Sequence, residues 1–222
     1  MLQLQNVSKQ YPQGHSALKH INLTLEQGEM AFITGHSGAG KSSLLKIIAL
    51  IERCTEGTIT LAGQNISKLA KRKALSLRRS MGIIFQQPYL LMDQNVFHNV
   101  ALPLFIAGQS SKESSKPVRA VLEQVGLLGH EEALPGDLSA GELQRLSIAR
   151  AIVTKPRLLL ADEPTGNLDP ALALDIMRLF EKLNQEGMSV LIASHDLALI
   201  ARLKHRVITL SKGRLVNDGK GE

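Results

Sequence analysis

The chain has 222 residues, of which 44% are hydrophobic and 21% are charged, so disordered and fibrous classes of protein are excluded. The single cysteine, Cys54, excludes an intrachain disulfide and a cysteine-built metal site, and it fits a reducing, cytosolic compartment. The net charge of +6 predicts a surface that favours anions, although charge alone does not choose among nucleotide, nucleic acid and anionic lipid.

Short apolar runs rich in Ile, Val and Leu recur along the chain and are predicted as strands. In chain order they cover residues 2–7, 21–25, 30–34, 58–61, 82–85, 158–161, 190–193 and 207–210. Helix-length segments lie between several of them, at residues 41–51, 114–125, 141–154 and 170–185. This alternation predicts an α/β fold with a mainly parallel sheet.

The middle of the chain has a different pattern. Residues 87–155 show helical periodicity interrupted by Pro and Gly, and they contain no convincing strand. A short polar loop is expected at residues 109–115. We therefore expect one domain over residues 1–222, in which a helical subdomain, 87–155, interrupts an α/β core formed by 1–86 and 156–222. No stretch is apolar and long enough to cross a bilayer, and the N-terminal residues do not resemble a secretory signal.

The densest basic stretch, residues 68–79, holds six Lys and Arg side chains and no acid. A solvated helix face is the simpler interpretation, because no aromatic side chain is interleaved to stack on bases. The chain has only two Tyr, five Phe and no Trp, so nucleic acid is not expected as a partner. An anionic membrane surface remains an alternative for this stretch.

A glycine-rich segment follows the predicted strand 30–34 and precedes a predicted helix. Its small residues would let backbone N–H groups surround phosphate oxygens at a helix N-terminus. Lys41 would reach the β- and γ-phosphates, and Ser42 would bind Mg²⁺. The segment completes the pattern GxxxxGK[ST] and therefore predicts a phosphate-binding loop formed by Gly35, His36, Ser37, Gly38, Ala39, Gly40, Lys41 and Ser42.

Two other predicted strands end in polar residues. Asp162 and Glu163 follow the run 158–161, where Asp162 would hold Mg²⁺ and Glu163 would polarise the attacking water. Taken alone, an acid pair of this kind is as compatible with helix capping. His195 follows the run 190–193 and could bond a γ-phosphate, although a lone His there is more often structural, with Asp196 capping the next helix.

Residues 138–142, Leu-Ser-Ala-Gly-Glu, resemble the signature motif of the ABC ATPase family, usually written LSGGQ or LSGGE. The phosphate loop, Gln86, the pair Asp162-Glu163, the run 167–169 and His195 occur in the order typical of that family, and the resemblance covers essentially the whole chain. It implies a phosphate-loop NTPase core with an antiparallel β subdomain and an inserted helical subdomain. It also implies ATP hydrolysis with ATP and Mg²⁺ as the cofactors.

The resemblance further implies roles for individual residues. Tyr11 would stack on adenine, since an aromatic ring suits ring-on-ring contact. Gln86 would contact the metal and the reacting groups. In the family, two subunits form a head-to-tail homodimer around ATP, so the signature segment would act on the opposite nucleotide. By this resemblance the remaining nucleotide-binding residues are Ser43, Ser139, Gly141, Glu142 and Asp169.

Two positions depart from the family pattern. Ala140 replaces the usual glycine of the signature and adds a Cβ where backbone would approach phosphate, which would weaken closure of the dimer. Ser43 replaces the commoner Thr beside the phosphate loop, a change expected to be mild.

The resemblance also implies an integral membrane subunit, docked in a groove lined by residues 87–104. Three segments resemble the cell-division branch of the family: residues 35–46, 85–104 and 159–169. That branch implies a peripheral position on the cytoplasmic face of the inner membrane at the division septum, together with division-machinery proteins. The alternatives are the ATPase of a lipoprotein-releasing or macrolide-type exporter, a soluble DNA-repair or chromosome-organising ATPase, and a non-hydrolysing module. The absence of a heptad array argues against the soluble ATPase, and Glu163 argues against the non-hydrolysing module.

Overall fold

The computed structural model describes residues 1–219, so the last three residues of the predicted core segment 156–222 lie outside the described chain. The strands are β1 (Leu2–Gln10), β2 (Ser16–Leu25), β3 (Met30–Thr34), β4 (Glu56–Leu61), β5 (Gln64–Asn65), β6 (Met81–Ile84), β7 (Leu158–Asp162), β8 (Ser189–Ala193), β9 (Arg206–Ser211) and β10 (Arg214–Gly219). The helices are α1 (Lys41–Ile48), α2 (Lys71–Arg78), α3 (Val96–Ile106), α4 (Ser111–Gln124), α5 (Ala140–Ile152), α6 (Pro170–Gln185) and α7 (Leu197–Leu203), with a 3-10 turn at Pro135–Asp137.

The strands form two sheets. The six-stranded sheet has the order β10-β9-β3-β8-β7-β6 and is parallel except for β10, which runs antiparallel to β9. The four-stranded sheet, β2-β1-β4-β5, is antiparallel. The predicted α/β class with a mainly parallel sheet and an antiparallel β subdomain is therefore confirmed.

Strand β3 lies between β8 and β9 and separates two apolar cores. Its alternate side chains point to opposite faces, as a strand requires. Met30 and Phe32 belong to the core that contains buried residues of α3, α4, α5 and α6. Ala31 and Ile33 belong to the core formed with α1 and the antiparallel sheet. A fully buried strand of this kind holds the loop that follows it in a fixed place.

Helices α3, α4 and α5 occupy the stretch between β6 and β7, where the described chain contains no strand. Their apolar residues share one core with a face of the six-stranded sheet. Helix α5 also approaches β6 closely, since a Cβ added to Gly82 would lie 2.8 Å from the Ala151 carbonyl oxygen. The helical segment thus packs directly on the sheet, and its standing as a subdomain over 87–155 stays a prediction.

Several local expectations were wrong. The polar loop expected at residues 109–115 is largely the first turn of α4, because Ser110 and Glu113 form a capping box: the Ser110 N–H donates to Glu113 Oε2 at 2.7 Å. Helix α1 ends at Ile48 rather than at residue 51. The Arg78 guanidinium donates to the carbonyls of Ala49 and Leu50 just beyond that end. Helix α7 and strand β10 were not predicted at all.

The basic stretch 68–79 contains α2, and no side chain of that helix is buried. This agrees with the expectation of a solvated helix face. Within residues 1–219, none of the helices combines the length and the apolar character that a membrane span requires.

Candidate functional site

A cavity of about 850 Å³ opens at the carboxyl ends of the parallel strands, the edge at which ligands bind in α/β sheets. Because β3, β6, β7 and β8 run in the same direction, the residues that follow them meet at this edge. The predicted site residues in its walls are Gly35, His36, Ser37, Gly38, Ala39, Gly40, Lys41, Ser42, Ser43, Gln86, Glu163 and His195. Tyr11, Ser139, Gly141, Glu142, Asp162 and Asp169 are not part of these walls as the structure describes them over residues 1–219.

The phosphate loop, residues 35–42, depends on two glycines for a structural reason that the motif did not reveal. Gly35 has φ +145°, and a Cβ there would lie 2.2 Å from the Leu210 carbonyl oxygen. Gly40 has φ +108°, and a Cβ there would lie 2.6 Å from the Ala17 carbonyl oxygen. Both glycines let the loop pass against the backbone of neighbouring strands in conformations that L side chains rarely adopt.

Lys41 begins α1 and is 8% exposed. Its ammonium donates to the Gly35 carbonyl at 2.8 Å, and its Nζ lies 3.6 Å from Glu163 Oε1. The side chain is therefore folded back over the loop, within reach of any anion that the loop binds. Ser42 and Ser43 follow it into the cavity wall.

Glu163 lies between two of the other predicted catalytic residues. Its side chain is 12% exposed, and His195 Nδ1 lies 2.8 Å from its Oε2 while Lys41 Nζ approaches its Oε1. The Glu163 backbone has φ +49°, an unusual conformation for a residue with a side chain. Strain of this type is often found where a side chain must be aimed into a functional site. The arrangement places the carboxylate of Glu163 between the ammonium of Lys41 and the imidazole of His195.

Asp162 ends β7 directly behind this group. Its Oδ1 is buried and has no hydrogen-bond partner among residues 1–219. Burial raises the pKa of its carboxyl, and the Ser42 side chain acts in the opposite direction. A carboxylate oxygen without a partner beside a serine hydroxyl fits a hard cation such as Mg²⁺, which takes oxygen ligands.

The protein supplies only part of a coordination shell there. Across the described chain, no group of three or more His, Cys, Asp or Glu side chains is arranged to hold a metal. Mg²⁺ commonly binds one or two carboxylates and completes its octahedron with water and substrate phosphates. Asp162, whose side chain is close to that of Ser42, fits that mode of binding together with Ser42 and Gln86, which both line the cavity.

The aromatic residue expected to stack on adenine is held by its hydroxyl. The Tyr11 hydroxyl lies 3.1 Å from the Ser43 hydroxyl, and the Lys9 ammonium sits 4.9 Å from the Tyr11 ring centroid. Burial is the main reason that the pKa of Tyr11 is raised. Tyr11 itself does not line the cavity, but His15 does, and the two rings stack with 6.4 Å between their centroids. Sequence reasoning missed His15, and its place four residues after Tyr11 in a tight turn was the available signal.

The signature segment, residues 138–142, lies outside this chain's own cavity. Ser139 caps α5, and its N–H donates to Glu142 Oε2 at 2.8 Å. The hydrogen bond from the Ser139 hydroxyl is the main reason that the pKa of Glu142 is lowered. Ser139 and Ala140 are exposed, whereas Gly141 is buried, and a Cβ there would lie 3.3 Å from the Leu172 side chain. The exposed N-terminus of α5 is thus free to face another molecule.

Asp169 has a capping role in this structure. It begins α6, where its Oδ1 accepts the backbone N–H groups of Ala171 at 3.0 Å and Leu172 at 3.1 Å. Leu172 is also the side chain against which Gly141 packs. Asp169 therefore helps to fix the surface on which the signature segment rests.

Comparison with known proteins agrees with this geometry. The model of the ABC transporter family matches residues 18–166. The cell division ATP-binding protein FtsE of Escherichia coli (strain K12) is 52% identical over 215 residues, which cover 97% of each chain. FtsE of Mycobacterium tuberculosis is 42% identical over 219 residues, covering 98% of this chain and 95% of that protein.

Solved structures give the same result. An ATP-binding cassette solved as a dimer in a post-hydrolysis state, bound to ADP and Pi, has a TM-score of 0.91 at 34% identity, with 100% of this chain and 99% of that chain covered. CbiO1 from Clostridium perfringens, part of the ABC transporter complex cbiONQ, has a TM-score of 0.92 at 30% identity, with 99% and 88% covered. The chain therefore belongs to the ABC transporter family, as an ATP-binding and ATP-hydrolysing cassette.

Proposed function

We propose that this cassette is the ATPase subunit of a membrane complex that acts in bacterial cell division, and that Glu163 is the base of its reaction. The observation that carries the catalytic part is the position of Glu163, between Lys41 and His195 at the phosphate loop. The observation that supports the cell-division part is 40–52% identity to FtsE proteins over nearly the whole chain.

In the proposed reaction, the backbone N–H groups of residues 35–42 bind the β- and γ-phosphates of ATP at the N-terminus of α1. Lys41 gives up its bond to the Gly35 carbonyl and turns to the phosphates. Glu163 then accepts a proton from the attacking water, and His195 bonds the γ-phosphate as its charge develops. His15, with Tyr11 stacked on it, would form the side of the cavity that faces the adenine.

Ser42, Asp162 and Gln86 would hold the Mg²⁺ that binds together with ATP. The bound Mg²⁺ would neutralise charge on the phosphates. The buried, unpartnered Oδ1 of Asp162 supports this assignment. Burial of Asp162 disfavours its charged form in the absence of a cation, and a bound cation reverses that preference.

The functional form would be a homodimer closed around two ATP molecules, with Ser139 and Gly141 of one subunit facing the nucleotide of the other. The exposed N-terminus of α5, outside its own cavity, supports this arrangement, because a helix N-terminus favours anionic charge. A similar cassette solved as a dimer with ADP and Pi supports it further. Glu142 and Asp169 would position the signature segment through the caps described above.

The membrane partner would be an FtsX-like integral membrane protein, and the cassette would lie peripherally on the cytoplasmic face of the inner membrane at the septum. Exposed apolar side chains follow Gln86 and support a docking surface within residues 87–104. They are Tyr89, which is 67% exposed, Met92, which is 59% exposed, and Leu91. ATP-driven closure of the dimer would move this partner.

A trapped dimer provides the central test. Glu163→Gln should retain ATP binding, lose turnover and form a stable ATP-dependent dimer, which size-exclusion chromatography detects. Membranes from cells that express the tagged variant are solubilised, and the proteins that co-purify with Mg²⁺ and ATP are identified by mass spectrometry. The matched control adds Lys41→Ala, which removes nucleotide binding.

Each outcome has a definite meaning. Recovery of an FtsX-like protein that depends on Lys41 supports the cell-division assignment, whereas recovery of a lipoprotein-release or macrolide-type permease would replace it with an exporter. Wild-type turnover in Glu163→Gln would refute the role of Glu163. Ser139→Arg should leave ATP binding by the monomer intact and abolish hydrolysis, and normal turnover in that variant would refute the action across the dimer.

A further inference from the structure

The segment that follows Gln86, residues 86–90, has few hydrogen bonds of its own. Within the part of the chain that the structure describes, these residues form no backbone–backbone hydrogen bond. Tyr89 has φ +45°, so the segment also contains a backbone conformation that must be held by its surroundings. We call residues 86–90 the Gln86 loop.

Arg150 supplies the hydrogen bonds that the Gln86 loop lacks. Its Nη1 donates to the Tyr89 carbonyl at 2.9 Å, and its Nη2 donates to the Pro88 carbonyl. No carboxylate lies within ion-pair distance of this guanidinium in residues 1–219. Burial lowers the pKa of Arg150, in agreement with a cation withdrawn from water and satisfied by carbonyl oxygens.

A second set of side-chain hydrogen bonds, made by Asn99, fixes the chain just beyond the loop. The amide of Asn99, which is fully buried, donates to the Leu91 and Gln94 carbonyls at 2.9 Å and accepts the Leu91 N–H at 2.9 Å. Strand β6 holds the preceding end of the loop. Between these two fixed points, Arg150 is the side chain that hydrogen-bonds the loop to another element of the described chain.

That element is α5, whose first turn is the signature segment. Arg150 lies in the last turn of α5, and the close approach of Gly82 to Ala151 fixes the same end of the helix to β6. We infer that Arg150 is a positioning residue, which joins the Gln86 loop to the signature helix so that Gln86 and the N-terminus of α5 move as one body. This inference rests on the proposed role of Gln86 at the metal and γ-phosphate.

The first test measures the loop itself. Arg150→Met should lower the backbone ¹⁵N NMR order parameters of residues 86–90 to below about 0.6, the range of flexible backbone, while those of α1 and β3 stay unchanged. The matched control is Arg145→Met, because Arg145 lies on the same helix and its Nη1 also donates to a carbonyl, that of Val125 at 3.2 Å. Unchanged order parameters in residues 86–90 of Arg150→Met, or an equal fall in the control, would overturn the inference.

The second test measures catalysis in the full chain. Arg150→Met should lower kcat about ten- to a hundredfold, as expected for displacement of a group by about 1 Å, with the Kd for ATP within twofold of wild type. Arg150→Lys should restore part of the rate, since lysine can reach a single carbonyl. Arg145→Met should keep kcat within about twofold.

A double-mutant cycle separates the two proposals. If Arg150 acts through Gln86, Arg150→Met combined with Gln86→Ala should be no slower than Gln86→Ala alone, and the two single variants should shift the half-saturating Mg²⁺ concentration alike. Fully additive losses would overturn the inference. A Gln86→Ala variant with normal kcat and Mg²⁺ dependence would instead refute the proposed role of Gln86, and the order parameters would still decide whether Arg150 holds the loop.

Discussion

The substitution Gly35→Ala tests whether the conformation of the phosphate loop depends on its contact with β9 even when no nucleotide is bound. The added Cβ would lie 2.2 Å from the Leu210 carbonyl oxygen and 3.1 Å from the Ala39 Cβ, at φ +145°. A glycine-only conformation costs about 1–3 kcal/mol with a side chain, and forcing an atom into a packed site costs about 1–3 kcal/mol more. We expect Gly35→Ala to lose roughly 2–6 kcal/mol of unfolding free energy without nucleotide.

Gly38→Ala is the matched control, because Gly38 lies in the same loop at φ +76° with nothing within 4 Å of its Cβ position. Gly38→Ala should lose only the part of the unfolding free energy that comes from the unfavourable backbone conformation, about 1–2 kcal/mol. Urea unfolding of the nucleotide-free proteins, followed by circular dichroism, measures both free energies. Equal losses in the two variants would refute the reasoning from the contact with Leu210.

Three further predictions concern stability. Asp162→Asn should stabilise the nucleotide- and metal-free chain at pH 7.5, with a smaller gain at pH 4.5, as urea unfolding in EDTA will show; a gain independent of pH would refute it. The reason is that burial raises the pKa of the Asp162 carboxyl in the folded chain, so the folded state favours the protonated carboxyl. The stability that this protonated carboxyl contributes is fully present below the unfolded pKa of about 3.9 and is lost as pH rises through the folded pKa. Asn99→Ala should cost about 2–4 kcal/mol in the same assay, because it leaves the polar groups of Leu91 without partners. Phe180→Ala should cost about 3–5 kcal/mol, since Phe180 is fully buried, whereas Leu128→Ala, at a residue 48% exposed, should stay within about 0.5 kcal/mol.

The elements that carry the cavity were predicted well because their signals are local. Strand β3 is a continuous apolar run with the predicted bounds of residues 30–34, and the glycines that follow it mark the turn into α1. Gln86, Glu163 and His195 each follow an apolar run that forms a parallel strand. Parallel strands bring such residues to one edge, so a correct fold class was sufficient to predict that they meet.

Where the prediction failed, the deciding contact was either polar or distant in sequence. Strand β10 pairs with β9 at the edge of the sheet and is mostly exposed, so it lacks the apolar run that marks the other strands. The start of α4 is set by the Ser110–Glu113 capping box within a stretch whose composition resembles a loop. Arg150 gave no signal, because carbonyl groups some sixty residues away cannot be inferred from an arginine in a helix.

The place of β3 in the six-stranded sheet has a consequence for synthesis on the ribosome. The two neighbours of β3 are encoded much later than β3 itself, because β3 begins at Met30, β8 at Ser189 and β9 at Arg206. At roughly 5–20 residues per second, the strand that bears the phosphate loop waits on the order of 10–30 s for its hydrogen-bonding partners. During that interval Phe32 and Ile33 cannot be buried as they are in the finished sheet. A nascent chain of this protein therefore presents an unpaired apolar strand to chaperones until almost the whole chain has left the ribosome, and the nucleotide site is among the last parts to form.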